Sequence, residues 1–129
     1  MGRSDPNATI AAFIDAFNAE DLDALDAVLS DTIEIQGGRG LVRGRDEVRD
    51  WATRKPPGYL RQRLILDQVH ADAHPPVALI RRQWFWREDG KVADEEELAV
   101  LVTLDEDGLI CRWQPFDDRA AALAAAGID

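Results

Sequence analysis

Ionisable side chains inside apolar stretches are the first candidates for chemistry in this sequence. Asp67, Glu96 and Asp117 lie in or beside segments rich in aliphatic and aromatic residues. Burial raises the pKa of a carboxylic acid, which can then act as a general acid or base near neutral pH. Arg82 could pair with one of them or hold an anionic oxygen of a ligand. A cross-strand ion pair on a solvated face is the alternative, and both interpretations stay open for Arg82 and Asp117.

Four tryptophans, Trp51, Trp84, Trp86 and Trp113, are many for 129 residues. If they converge, they give a cavity flat apolar walls that suit a ring-bearing ligand. The alternative is that they fill the core and a dimer contact. The pattern favours the pocket for Trp84 and Trp113.

Three other features are weaker candidates for a site. His70, Asp72 and His74 straddle a turn and offer fewer ligands than a fixed metal site needs, so we predict no metal. Cys111 has no evident base partner. The glycine-rich segment 37–40 matches neither the dinucleotide fingerprint nor the P-loop, and is interpreted as a loop at the pocket rim.

Length and charge narrow the function classes. The 129 residues predict one domain spanning 1–129. With 25 acidic against 15 basic residues the net charge is −10, which predicts that neither nucleic acid nor an anionic membrane is a partner. A single cysteine, no membrane-spanning apolar run and no secretion signal predict a cytoplasmic protein.

The secondary-structure elements that position these residues begin, at the amino-terminal end, with predicted helices. Ile10, Phe13, Ile14 and Phe17 repeat with the period of a helix, which Ser4 or Asp5 can cap. Asp21 caps a second predicted helix. Its predicted buried stripe contains Leu22, Leu25, Val28 and Leu29. A third helix is predicted over 46–55.

Strands follow. A short strand is predicted over 32–36 and four long ones later. The long strands are predicted over 60–71, 77–87, 94–104 and 109–116. A short alanine-rich helix capped by Asp117 or Asp118 closes the chain. Three amino-terminal helices on one side of an antiparallel sheet make an α+β domain, and strong curvature of that sheet would leave a cone-shaped cavity.

Three segments resemble a known superfamily in the right order along the chain. They are 13–25 (FIDAFNAEDLDAL), 44–51 (GRDEVRDW) and 107–113 (DGLICRW). All are similar to nuclear transport factor two-like proteins, and the nearest branch is that of SnoaL-like polyketide cyclases and ketosteroid isomerases. The resemblance implies a cone-shaped, cystatin-like fold with helices on the concave face of the sheet. It also implies a homodimer, a small hydrophobic ligand and no cofactor.

The resemblance also identifies positions of family chemistry. The isomerase oxyanion tyrosine corresponds to Phe13, the general-base aspartate to Gln36 and the second oxyanion acid to Val100. None of these side chains can perform the corresponding role, so steroid isomerisation by that mechanism is disfavoured. The epoxide hydrolases of this fold use two aspartates and an arginine on neighbouring strands; the matching positions here do not carry that set, although Arg82 and Asp117 could be a displaced version.

The resemblance and strand alternation together select the candidate site residues. The inward sets include Ile80, Arg82, Trp84 and Trp86 on one strand and Cys111, Trp113 and Pro115 on the last. The predicted catalytic residues are Asp117, Asp67 and Arg82. The predicted ligand-binding residues are Phe13, Phe17, Gln36, Trp51, Tyr59, Trp84, Trp86, Val100 and Trp113.

Three functions remain open at this point. The chain could be a cofactor-free enzyme with Asp117 or Asp67 as base and Arg82, Gln36 or Tyr59 orienting an oxygen. It could be a non-catalytic ligand-binding protein. It could also be a dimeric interaction module with a filled cavity, in which an outward set forms a sheet-to-sheet contact. That set is Ile110, Arg112, Phe116 and Phe85. A cavity no larger than a few water molecules would favour the third function over the other two.

Overall fold

A computed structural model describes residues 5–37, 40–53, 60–71, 73, 75–116 and 118–125. The helices are α1 (Pro6–Ala19), α2 (Leu22–Ala27), α3 (Gly44–Thr53) and α4 (Arg119–Ala125). The strands are β1 (Leu29–Gly37), β2 (Gly40–Arg43), β3 (Leu60–His70), β4 (Val77–Trp86), β5 (Val92–Leu104) and β6 (Ile110–Phe116). None of the helices in the described ranges is both long and apolar enough to cross a membrane.

The first two helices begin at the aspartates that the sequence predicts as caps. The Asp5 side chain accepts a hydrogen bond from the Asn7 amide, and Pro6 occupies the first turn of α1. The Asp21 carboxylate accepts one from the Ala24 amide at 3.1 Å. Because each side-chain oxygen satisfies an amide that has no partner within the helix, both helix starts are confirmed.

The second helix is shorter than predicted. It ends at Ala27, so Leu29 is the first residue of β1 and no part of a helical stripe. Leu29 is fully buried, and in the parallel β1–β6 pair its register partner is Ile110. Its carbonyl accepts hydrogen bonds from the Arg45 side chain at 2.6 and 3.2 Å. These partners come from distant parts of the chain, which local periodicity cannot reveal.

The sheet has six strands in the order β2-β1-β6-β5-β4-β3. The β1–β6 pair is parallel and the other pairs are antiparallel. The sheet is curved, and the α+β class is confirmed, although the sheet is mixed and not wholly antiparallel. The segment 37–40 is predicted as a loop, but β2 begins at Gly40, and its register with β1 runs from Glu34↔Arg43 to Gly37↔Gly40.

The two faces of the sheet carry separate clusters. The inner face, covered by α1–α3, holds the larger one. Its members include Ile10, Phe13, Leu25, Ile35, Val48, Leu64, Ile80, Val100, Ile110 and Trp113. The outer face holds a smaller cluster beneath α4. Its members include Val77, Leu79, Ala99, Leu101, Phe116 and Ala122. The Asp118 carboxylate caps α4 by accepting hydrogen bonds from the Ala120 and Ala121 amides.

A bulge in β6 overturns one face assignment. Leu104 pairs with Ile110 but Thr103 pairs with Arg112, so Cys111 is an extra residue in the ladder. Ile110 and Trp113 therefore both face the inner cluster, and Ile110 is fully buried. The prediction that Ile110 lies on an outward, partner-facing surface is wrong.

Candidate functional site

A cavity of about 30 Å³ lies between α1, α3 and the inner face of β3–β6. That volume holds roughly two water molecules. The cavity is lined by aromatic and aliphatic side chains with two polar ones. They are Phe17, Trp51, Gln62, Leu64, Ile80, Arg82, Leu98, Val100, Trp113 and Pro115.

Aromatic pairs form the wall on the helical side. Phe17 of α1 and Trp51 of α3 meet at a tilt of 47°, with ring centroids 5.4 Å apart. One helical turn earlier, Phe13 stacks on Trp113 with centroids 4.2 Å apart. Phe13 is fully buried behind that indole ring, so it supports the cavity wall without lining the cavity. The spacing of Phe13 and Phe17 brings both rings to one face of α1.

Asn18 fixes α1 to the edge strand β3. Its side-chain amide donates to the Leu64 carbonyl and accepts from the Leu64 amide, both at 2.8 Å. This reciprocal pair positions Phe17 next to Leu64. Neither Asn18 nor the lining residues Gln62 and Leu64 are among the predicted site residues. The period-2 alternation of β3 could have indicated Gln62 and Leu64.

The polar part of the lining centres on Arg82. Its Nη1 atom lies 3.1 Å from Oε1 of Glu96 on the next strand. Its guanidinium carbon lies 5.7 Å from the centre of the Trp84 ring. Trp84 is half-buried beside Arg82 and outside the cavity lining, whereas Trp86 is 46% exposed at the end of β4. The two tryptophans therefore extend the inner face beyond the cavity.

The structure separates Asp67 from the cavity. Leu64 and Leu66 of β3 pack into the inner cluster, so the alternation of the strand turns Asp67 to the outer face. There its carboxylate accepts hydrogen bonds from Nε of Arg81 at 2.9 and 3.1 Å and from Arg119 at 3.2 Å. The structure therefore places Asp67 on the outer face and outside the described cavity lining, whereas the sequence predicts a base inside the pocket.

Gln36 is also away from the cavity. Ile33 and Ile35 of β1 take the buried positions, and Gln36 is exposed where its register partner is Leu41 of β2. Two further predicted site residues, Tyr59 and Asp117, lie outside the described residues. The predicted residues that do come together around the cavity are Phe17, Trp51, Arg82, Val100 and Trp113.

The electrostatics of the lining are simple. Among the described lining residues Arg82 is the one charged side chain, and none is a carboxylic acid, histidine or cysteine. Within the described ranges no group of three or more His, Cys, Asp or Glu residues could hold a metal ion. Burial, reinforced by the charge of Asp105, raises the pKa of the Cys111 thiol, which makes it a poor nucleophile at neutral pH. The chemistry of the described lining therefore suits contact with apolar groups and one anionic oxygen better than proton transfer.

Comparison with known proteins tests the family resemblance and the fold. The sequence profile of the SnoaL-like domain matches residues 10–113, which include all three resembling segments, so the resemblance is confirmed. No curated protein matches the chain by sequence.

Solved structures share the fold at low sequence identity. A Δ5-3-ketosteroid isomerase from Mycobacterium sp. has a TM-score of 0.69 at 15% identity, covering 92% of this chain and 97% of its own. An epoxide hydrolase of Mycobacterium tuberculosis has a TM-score of 0.69 at 17% identity, covering 95% and 84%. Another M. tuberculosis protein, solved with estradiol-17β-hemisuccinate, has a TM-score of 0.67 at 13% identity, covering 91% and 97%.

Proposed function

Because this chain belongs to the SnoaL-like domain family, we propose that it binds a small hydrophobic, cyclic molecule in the cavity and needs no cofactor to do so. The observation that carries the proposal is the lining itself. The rings of Phe17, Trp51 and Trp113 face aliphatic side chains of the sheet, with Gln62 and Arg82 as the polar groups. Ligand sites commonly have this composition, mostly apolar with a few polar groups that fix orientation.

The resting cavity must open for a ring to enter, because about 30 Å³ is smaller than a benzene-sized cavity. The Phe17–Trp51 pair is the element that can move. The two rings sit on different helices, α1 and α3, and they are tilted against each other and not stacked. A similar fold holding estradiol-17β-hemisuccinate supports the idea that this architecture accommodates rings.

Binding of neutral ring compounds tests the proposal. We expect isothermal titration calorimetry with benzamide and 2-naphthamide to show one site per chain, together with a shift in tryptophan emission. Ile80→Ala should bind 2-naphthamide more tightly, because it leaves a space that the ring can fill. Leu79→Ala, a truncation on the outer face of the same strand, is the matched control. Absence of heat and of an emission shift in all three proteins would refute the proposal.

Proton-transfer chemistry would need a carboxylate that the described lining does not supply. Asp117 is the residue that the sequence predicts for this role. We expect Asp117→Asn to lower turnover of enones, epoxides or polyketide-like esters while leaving the melting temperature unchanged. If the wild type and this variant are equally inert, the site binds without catalysis.

The second candidate is a dimeric interaction module, which a cavity of roughly two water molecules favours over ligand binding as long as that cavity stays closed. Two residues of the predicted contact, Arg112 and Phe85, remain available for it on the outer face, where the Arg63 guanidinium carbon lies 4.9 Å from the centre of the Phe85 ring. Sedimentation equilibrium of wild type and Phe85→Asp tests this function. A wild-type dimer that dissociates in the variant supports the module, and a monomeric wild type excludes it.

A further inference from the structure

We propose that the molecule bound in the cavity carries one carboxylate, which takes the place of Glu96 on the guanidinium of Arg82. This inference rests on the proposed binding function and names the class of ligand. In the empty protein, the carboxylate of Glu96 then occupies the place of the ligand's carboxylate beside Arg82.

The donors of Arg82 are not committed to the protein. The contact with Glu96 is an ion pair at 3.1 Å without the alignment of a hydrogen bond. No hydrogen bond joins the Arg82 side chain to any residue in the described ranges. A guanidinium presents five N–H donors in a planar fork that matches a carboxylate with two parallel hydrogen bonds. Arg82 therefore has unused capacity for an acid group.

Glu96 is held weakly enough to leave. The side chains of Arg82 and Glu96 are 31% and 40% exposed, and ion pairs of this kind contribute little to stability. Glu96 does not line the cavity, so its carboxylate can turn to solvent when a ligand arrives. In the empty protein it balances a positive charge that would otherwise stand beside apolar walls.

The sign of the ligand's charge follows from which partner faces the cavity. Arg82 is part of the lining and Glu96 is not, so an entering molecule meets the positive group. A net charge of −10 repels anions from most of the protein surface. A single arginine balanced by a single carboxylate fits a monoanion better than a doubly charged phosphate ester.

The test compares ligands of one ring system that differ in charge. The probes are 2-naphthoate, 2-naphthamide and 2-naphthyl phosphate, measured by calorimetry. We expect wild type to prefer the carboxylate to the amide. Glu96→Gln should bind the carboxylate roughly two- to fivefold more tightly, because a competing ion pair of modest strength is removed. Arg82→Gln should weaken carboxylate binding roughly tenfold or more, as expected for lost charge-assisted hydrogen bonds.

Two controls lie on the outer face of the same strands. Glu95→Gln and Arg81→Gln change the net charge of the protein by the same amounts as the test variants but leave the cavity lining intact. They should leave the affinity for all three probes unchanged.

The outcomes separate this inference from the proposed function. The inference is overturned if the amide binds as tightly as the carboxylate. It is also overturned if Glu96→Gln does not change the affinity for the carboxylate. In both cases the proposed binding function remains supported. Tighter binding of the phosphate ester than of the carboxylate also overturns it. If no probe binds, both fall.

Discussion

Two consecutive arginines on β4 are held in opposite ways by the two faces of one sheet. On the outer face, Arg81 donates to both oxygens of Asp67 at 2.9 and 3.1 Å and contacts Glu95 at 3.5 Å. On the inner face, Arg82 has one unaligned ion pair with Glu96. The two side chains are similarly exposed, at 36% and 31%, so burial does not explain the difference. The outer face uses its arginine for structure, whereas the inner-face arginine has an ion pair but no hydrogen bond to a described residue.

The same contrast extends to what holds each face together. On the outer face, Arg119 of α4 donates to the carbonyls of Ile80 and Leu98 and pairs with Asp67 and Glu97. The inner face is held mainly by apolar packing, in which the Phe13 ring stacks on another buried ring. Polar contacts of Arg119 thus reinforce the apolar cluster of the outer layer, whereas the inner layer relies mainly on ring packing beside the Asn18–Leu64 hydrogen bonds.

The largest expected effect is on the inner face. Phe13→Ala should lower the free energy of unfolding by about 3–5 kcal/mol, because the vacated space lies in the middle of the inner cluster. Phe116→Ala removes a half-buried ring from the outer cluster and should cost clearly less. Urea unfolding measures both. Equal losses would show that ring packing is not what distinguishes the faces.

The next effect is on the anchor of α4. Arg119→Gln should lower the free energy of unfolding by about 2–3 kcal/mol, because two backbone carbonyls and two carboxylates lose a charged donor. Proteolysis near the carboxyl terminus should become faster. Arg112→Gln, an exposed arginine of β6, serves as the control. A stability loss no larger than the control's would mean that α4 is anchored by its apolar contacts alone.

A smaller effect on stability is expected when the neighbouring residues Arg81 and Arg82 are substituted in turn. Arg81→Gln should destabilise the protein more than Arg82→Gln, since only Arg81 loses aligned hydrogen bonds. The hydrogen bonds and charge of Asp67 also raise the pKa of the Arg81 guanidinium, which therefore stays protonated at both salt concentrations. Thermal melts at low and high salt measure the difference, which salt should reduce. The reverse order of stability would contradict the contrast between the faces.

The smallest expected effect is on the reactivity of Cys111, which lies in the bulge of β6. Because burial and the nearby Asp105 carboxylate raise the pKa of the Cys111 thiol, less thiolate is present at a given pH than in a free cysteine. We expect slow reaction with a disulfide reagent near neutral pH and a faster rate as the pH rises. Urea-unfolded protein is the control. A folded protein that reacts as fast as the unfolded one would show an open thiol.

Local patterns in the sequence were enough for the helices and the long strands. The helical repeat through Ile10 and Phe17 and the cap at Asp21 depend on neighbours a few residues away. The strand β2 and the helix end before Leu29 depend on partners far along the chain, so periodicity missed both.

The site was predictable to the extent that strand faces were. Alternation places Arg82 and Val100 on the inner face, where both line the cavity. It could not indicate how far along a strand the cavity extends, and Trp86 lies beyond that limit. Aligned position alone suggested Gln36, and the buried isoleucines beside it leave it exposed. Curvature and strand order, which single strands do not encode, decide these cases.

The strand order has a consequence for folding during synthesis of the chain. Among the described strands, β1 and β2 join the rest of the sheet through β6, which is synthesised after the other five. A nascent chain that ends before Ile110 holds two pieces of sheet with no ladder between them. The chain must therefore have left the ribosome as far as β6 before the two pieces of sheet can pair.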